Sequence, residues 1–209
     1  MNIPVKRAFF AVSGVAVLGV GVGVMRYASF GVDSYSCLTD GLSKTIGLSF
    51  GTTLLLLNIV LLICVLIFDR TKIGLGTFCN MAGVGYTADL TLFLINLAVS
   101  GIHHSFVLHV AALTAGIVIV CLGVAMYMEA DMGISPYDAL GVVISEKLHK
   151  QKHYKWIRIT TDLLCVLGGF LMGSILGVGT VVMAFFTGPL ISFFRWLLRR
   201  RHPCRNEFA

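Results

Sequence analysis

The sequence predicts an all-α integral membrane protein: six transmembrane helices in two inverted three-helix repeats, with a short broken or re-entrant helix after the first helix of each repeat. Three observations lead there. Hydrophobic residues make up 57% of the 209-residue chain and charged residues 12%, with a mean hydropathy of +0.90; that is about half the charge of a soluble domain. Apolar runs such as Ala8–Met25, Gly51–Phe68 and Phe106–Met128 reach the roughly 18 residues that cross a bilayer core. A Gly-x-x-x-Tyr phrase occurs twice, at Gly31–Tyr35 and Gly133–Tyr137, each time just after such a run.

The elements follow in order. A first span is predicted over 8–26. Lys6 and Arg7 ahead of it give it the look of a signal peptide, but it belongs to the first copy of a repeat, so cleavage would remove a structural element. Gly31 and the stretch Asp33–Ser34–Tyr35 then open a short amphipathic segment. A second span over 50–68 carries Asn58 at mid-length. "IGLGT" (73–77) precedes a third span over 73–97 that holds Asn80 and Asp89. The second half repeats this plan. A fourth span over 107–128 leads to Gly133 and a short helix over 135–148. There Ser135 serves as N-cap, Pro136 loses no needed amide in the first turn, and Asp138 meets the positive end of the dipole. A fifth span over 156–172 carries Asp162, and "LGVGT" (176–180) precedes a sixth over 174–197.

The repeat is explicit. A shift of 102 superposes Gly21 on Gly123, Ala28 on Ala130, Gly31 on Gly133, Tyr35 on Tyr137 and Ser43 on Ser145. A shift of 103 then aligns "IGLGT" with "LGVGT" and Gly85 with Gly188. Three spans per copy is an odd number, so the second copy starts on the opposite face of the membrane. The units are a first repeat over 1–98, an outer connection over 99–105, a second repeat over 106–198 and a basic tail over 199–209.

Charge placement supports an even number of spans. With the N-terminus in the cytoplasm, 14 of the 16 Lys and Arg residues lie inside, leaving Arg26 and Lys44 outside, as the positive-inside rule requires. Both termini are thus expected in the cytoplasm of a bacterial inner membrane. The net charge of +6 orients the protein in lipid and suggests no nucleic-acid partner. The basic tail is expected to hold the last helix to anionic lipid. Six cysteines show no CxxC pairing, and His103, His104 and His109 have no acidic or thiolate partner at metal spacing, so neither cofactor nor metal is expected. Glu129 and Asp131 flank a span end and read as solvated.

The phrases "LGVGVGVMRYASFGVDSYSCLTDGLSKTIGLSFGT" (18–52), "LGVAMYMEADMGISPYDAL" (122–140) and the two Gly-x-Gly-Thr turns resemble the YczE/YitT-like family of small bacterial inner-membrane proteins. The resemblance spans nearly the whole chain. Its Gly-x-x-Pro-x-Asp element is intact only in the second copy, because Ser34 and Ser36 stand where Pro136 and Asp138 do. It implies a multi-pass protein loosely associated with transport, with no assigned substrate.

Candidate substrate-binding residues are the polar groups at the restarts and within spans. They are Asp33, Ser34, Tyr35, Asn58, Thr77, Asn80, Asp89, Ser135, Pro136, Tyr137, Asp138, Asp162 and Thr180. Intramembrane polar residues are functional by default. Each also has a plainer reading: the restarts as ordinary caps, Thr77 and Thr180 as packing elements, and Asp162 as the i+4 partner of Arg158. Pairs such as Gly19/Gly23, Gly47/Gly51 and Gly169/Gly173 fit helix contact faces. No catalytic arrangement is recognisable and an enzyme is not expected. The leading expectation is a transporter or permease for a small polar or anionic solute, working by alternating access. The alternatives are a substrate-binding subunit with a separate energising partner, and a non-transporting scaffold; a homodimer is also open.

Overall fold

The computed structural model describes residues 3–68, 74–99, 106–147 and 154–201. Arg70, Lys72, Lys150, Lys152, His103, His104 and most of the outer connection and tail, for which the sequence carries expectations, lie outside the described residues. Among the described residues there are eight helices and no strand: α1 (Ile3–Ala28), α2 (Ser34–Ile46), α3 (Phe50–Phe68), α4 (Leu75–Val99), α5 (Phe106–Ala130), α6 (Pro136–Lys147), α7 (Tyr154–Leu171) and α8 (Val178–Arg201).

Five of these, α1, α3, α4, α5 and α8, are long and apolar enough to cross a bilayer. The predicted fifth span, α7, falls short by that measure because Lys155, Arg158 and Asp162 interrupt its 18 residues, and the predicted sixth, over 174–197, is α8, which starts four residues later. Outward faces stay apolar, with Ile67, Phe93, Leu97 and Phe185 each more than 60% exposed, as lipid-facing residues are. An exposed apolar area on this scale marks a membrane surface.

The centre of the molecule is α1 against α5, held at backbone distance by glycine. Gly14 lies against Tyr127, Gly21 against Val120, Gly116 against Met25 and Gly123 against Leu18. A Cβ on any of these would come within 2.4 to 2.7 Å of its neighbour. Each step forward along α1 is a step backward along α5, so the two helices run antiparallel. Exchanging the copies maps the Gly21–Val120 contact onto Gly123–Leu18, so the crossing is symmetric. Small residues at such crossings let dispersion forces act where lipid offers no hydrophobic drive.

α4 runs parallel to α1. Gly19 meets Thr87, Gly23 meets Thr91, and Gly83 meets Val15. α3 turns back along α4, with Gly51 on Gly85. Each short helix crosses to the other copy, α2 onto α7 and α6 onto α3. Gly169 is pressed onto Cys37, and Ala139 and Val143 of α6 cluster with Val65 of α3.

Two of the six paired glycines act otherwise than expected. Gly47 and Gly173 have φ of +77° and +83° with nothing within 4 Å of a Cβ. They terminate α2 and the α7 turn in the left-handed conformation that glycine adopts without steric cost; helix contact is made by Gly51 and Gly169 instead.

Candidate functional site

Both chain breaks are built from sequence-local chemistry. Gly31 and Gly133 adopt φ of +96° and +113°, which turns the chain sharply after α1 and α5. Asp33 then caps α2, its carboxylate accepting from the Ser36 amide at 3.1 Å. Ser135 caps α6, its Oγ accepting from the Asp138 amide at 3.2 Å and donating to the Asp138 carboxylate at 2.9 Å. Pro136 is the first residue of α6 and is fully buried.

Each break is clasped by the Gly-x-Gly-Thr turn that opens α8 or α4. The Gly179 amide donates to Phe30 O, and the Gly76 amide to Met132 O, both at 2.8 Å. Thr77 Oγ donates to Ile134 O at 2.8 Å and accepts from the Gly74 amide at 3.2 Å. Thr180, in the matching place against Gly31, is 7% exposed and its hydroxyl finds no hydrogen-bond partner. Thr77 and Thr180 therefore belong to the clasps, the packing alternative read from the sequence.

The clasps aim the two short helices at each other. Tyr35 and Tyr137 stack with ring centroids 4.6 Å apart and planes 12° off parallel. Tyr35 Oη donates to Asn58 Oδ1 at 2.9 Å, and Asn58 is 2% exposed. Tyr137 Oη donates to Asp162 Oδ1 at 2.6 Å. Asn58 and Asp162 sit midway along α3 and α7, so the tyrosines meet at mid-depth of the helices beside them. Arg158 donates to Asp138, lies 3.4 Å from Asp162 and covers the Tyr137 ring at 4.6 Å. One face of the stack thus ends on a neutral amide and the other on an Asp–Arg–Asp cluster. Ser34 opens α2 beside Tyr35.

Asp89 and Asn80 do not join this cluster. Asp89 accepts from Arg26 at 2.8 Å and from the Gly51 amide at 2.7 Å, tying α4 to α1 and α3. Asn80 is buried in α4 one turn beyond Thr77. Around Arg26 lies a second polar group that sequence reasoning left unassembled. Asp40 is 3.7 Å from Arg26 and 2.7 Å from Lys44, and accepts from Ser174 at 3.2 Å. These residues line a cavity of about 200 Å³ with Ser29 and Gly31. The available signal was Arg26 itself, a cation at the end of an otherwise uncharged run.

Glu129 corrects another expectation. It is held by Arg195 at 2.8 Å and Arg199 at 3.0 Å, and its side chain is 14% exposed. The end of α8 folds over it, so it is not a solvated flank. His109 stacks on Tyr27 with centroids 5.2 Å apart.

Comparison with known proteins places the site in a family context. The family of unknown function DUF6198 matches residues 5–196. An uncharacterised protein of Bacillus subtilis, YyaS, is 29% identical over 93% of this chain and 94% of its own length. The uncharacterised membrane protein YczE of the same organism is 25% identical over 90% of this chain and 85% of its own length. An uncharacterised protein of Haemophilus influenzae is 24% identical over 88% of this chain and 81% of its own. No solved structure matches this chain.

Proposed function

From the premise that this chain belongs to the DUF6198 family and is a multi-pass membrane protein, we propose that it is a transporter whose solute site is the Tyr35–Tyr137 stack. In this reading α7 also spans the membrane, as the fifth of six spans, the two copies are inverted repeats, and both termini are cytoplasmic. Support comes from the symmetric antiparallel crossing of α1 and α5, the relation an in-plane two-fold axis produces. Further support comes from α2 and α6, which start at mid-depth and cross onto the opposite copy. Irregular backbone at membrane depth is tolerated where it is walled by protein or lines a cavity.

The observation that carries the reading is the face-to-face tyrosine pair, each ring tied to a polar group midway along the next helix. The two rings stand at matching positions of the repeated phrase, so the stack brings equivalent residues of the two halves together. Rocking one half against the other separates the rings toward one face or the other, and a solute intercalated between them is exposed alternately. A polar solute, neutral or cationic, suits the site better than an anion. Both helix N-termini are already occupied by Asp33 and by Ser135 with Asp138, and two carboxylates, Asp138 and Asp162, face one guanidinium, Arg158.

The test is a thermal-shift screen of the purified protein against a library of polar metabolites. A true ligand at a hundred times its dissociation constant stabilises by about 2.7 kcal/mol. The shift should vanish in Tyr137→Phe and Asp162→Asn, and the same compound should be carried into proteoliposomes by the wild type alone. A protein whose partner binding and phenotype persist in both variants, with no ligand and no flux, is a scaffold.

A further inference from the structure

Arg26 and Lys44 are the two basic residues that charge placement leaves on the outer side, and the fold brings both to one cavity. The repeat does not require them there. Under its shifts Arg26, Asp40, Lys44 and Asp89 become Met128, Val142, Glu146 and Ser192, so the second copy is built without this cluster. Charged side chains within membrane segments are costly and mark binding sites by default. The cavity, of about 200 Å³, has apolar walls from Met25, Val32, Leu92 and Ile175. Arg26, Asp40 and Lys44 supply its charges, and these are only partly spent. Arg26 is fixed by Asp89 at 2.8 Å through Nη1 and by the Phe50 ring at 4.1 Å. Its Nη2 stands 3.7 Å from Asp40 Oδ1, beyond hydrogen-bonding distance. Lys44 and Ser174 both go to the other oxygen, Oδ2. Among the described residues, a donor and an acceptor of opposite charge thus face each other unbonded.

We propose that this cavity binds a small α-amino acid with an apolar side chain, as the zwitterion. The ligand's carboxylate accepts from Arg26 Nη2 and Lys44 Nζ, and its ammonium donates to Asp40 Oδ1. Charge balance selects that ligand. Arg26 and Lys44 offset Asp40 and Asp89, so a lone anion or cation would bring an uncompensated charge into a partly buried site. A zwitterion brings none. Size selects it too. About 200 Å³ is the room of about seven waters at roughly 30 Å³ each, and less than the roughly 300 Å³ at which drug-sized pockets begin. The apolar walls suit an aliphatic side chain, which gains by leaving water. This site stands apart from the tyrosine stack, and its occupation does not depend on transport.

The experiment is a thermal-shift titration of the purified full chain in detergent with L-alanine, L-valine and L-leucine. Each is run beside the acid that lacks its amino group and the amine that lacks its carboxylate, isovalerate and isobutylamine in the case of valine. At least one amino acid should raise the melting temperature saturably. Its acid and its amine should each bind about tenfold more weakly, the loss of one charge-assisted contact. Lys44→Gln and Asp40→Asn should weaken binding by a similar factor. Ile175→Trp, which fills the cavity from an exposed position, should abolish it. Tyr137→Phe and Asp162→Asn, which disable the tyrosine site, should leave it intact. Size-exclusion chromatography confirms that each variant is folded, and Lys44, with 45% of its side chain exposed, is replaceable if the Ile175 variant is not. No saturable shift with any of the three amino acids overturns the proposal, as does equal binding of an acid or amine. Binding that survives both Lys44→Gln and Ile175→Trp overturns it too. Binding lost in Tyr137→Phe but kept in Lys44→Gln would move the amino acid to the tyrosines, leaving the proposed transport site standing and this one refuted.

Discussion

Tyr35 and Tyr137, from the two copies of one repeated phrase, lie ring upon ring at 4.6 Å, yet their hydroxyls end on different chemistry. Tyr35 reaches a neutral amide, Asn58, and Tyr137 a carboxylate, Asp162. A hydrogen bond to a charged group contributes about 1.5–3 kcal/mol against about 1 for a neutral pair. Tyr137→Phe should therefore lower the melting temperature in detergent more than Tyr35→Phe does. Equal losses would mean that the Asp162 contact is not a charge-assisted one.

The breaks should tolerate no side chain. Alanine at Gly133 must adopt a positive φ, at about 1–2 kcal/mol, and its Cβ would stand 2.7 Å from the Gly74 amide nitrogen and Thr77 Oγ. Gly47→Ala meets the conformational cost alone, since nothing lies within 4 Å. The expectation is loss of monodisperse protein for Gly133→Ala and Gly31→Ala, and a modest shift in melting for Gly47→Ala, read by size-exclusion chromatography.

Asp89 serves two partners and Arg26 is the charged one. Arg26→Ala strands a half-buried carboxylate and should cost about 3 kcal/mol. Asp89→Ala should cost more, because the Gly51 amide loses its acceptor as well. The double variant should then cost less than the two single losses taken together, and a double-mutant cycle by thermal denaturation measures the coupling. Additive losses would show the ion pair to be worth nothing.

Orientation is open to direct measurement. The ends of α2 and α6, at Gly47 and Lys147, should face opposite sides of the membrane in the inverted arrangement. Single cysteines there, in a background without the native ones, should react with an impermeant maleimide from opposite sides of sealed vesicles. Labelling from the same side would remove the alternating-access reading.

Local chemistry was legible wherever it is written within a few residues. The predicted span over 50–68 matches α3 residue for residue, and the Ser135 cap, Pro136 first turn and Asp138 of α6 stand as their spacing implied. The pairing of Asp162 with Arg158 was also among the readings that i+4 spacing offers. By contrast Arg26 and Asp89 are brought together from different spans, and Glu129 is covered by residues of α8 far along the chain. No period or spacing encodes such contacts, because they depend on which helix faces which.

The sequence by itself determined that the chain is a helical membrane protein, where each helix lies to within a few residues, and that one phrase is written twice along it. Those properties follow from hydrocarbon thickness, backbone hydrogen bonding and turn chemistry, which act over a few turns of helix. Tertiary structure alone decided that Tyr35 meets Tyr137, that Thr77 and Thr180 clasp the breaks, and that the end of α8 covers Glu129. The reason is steric: those relationships depend on how closely two helices can approach, and that is fixed only when the side chains of both are in place.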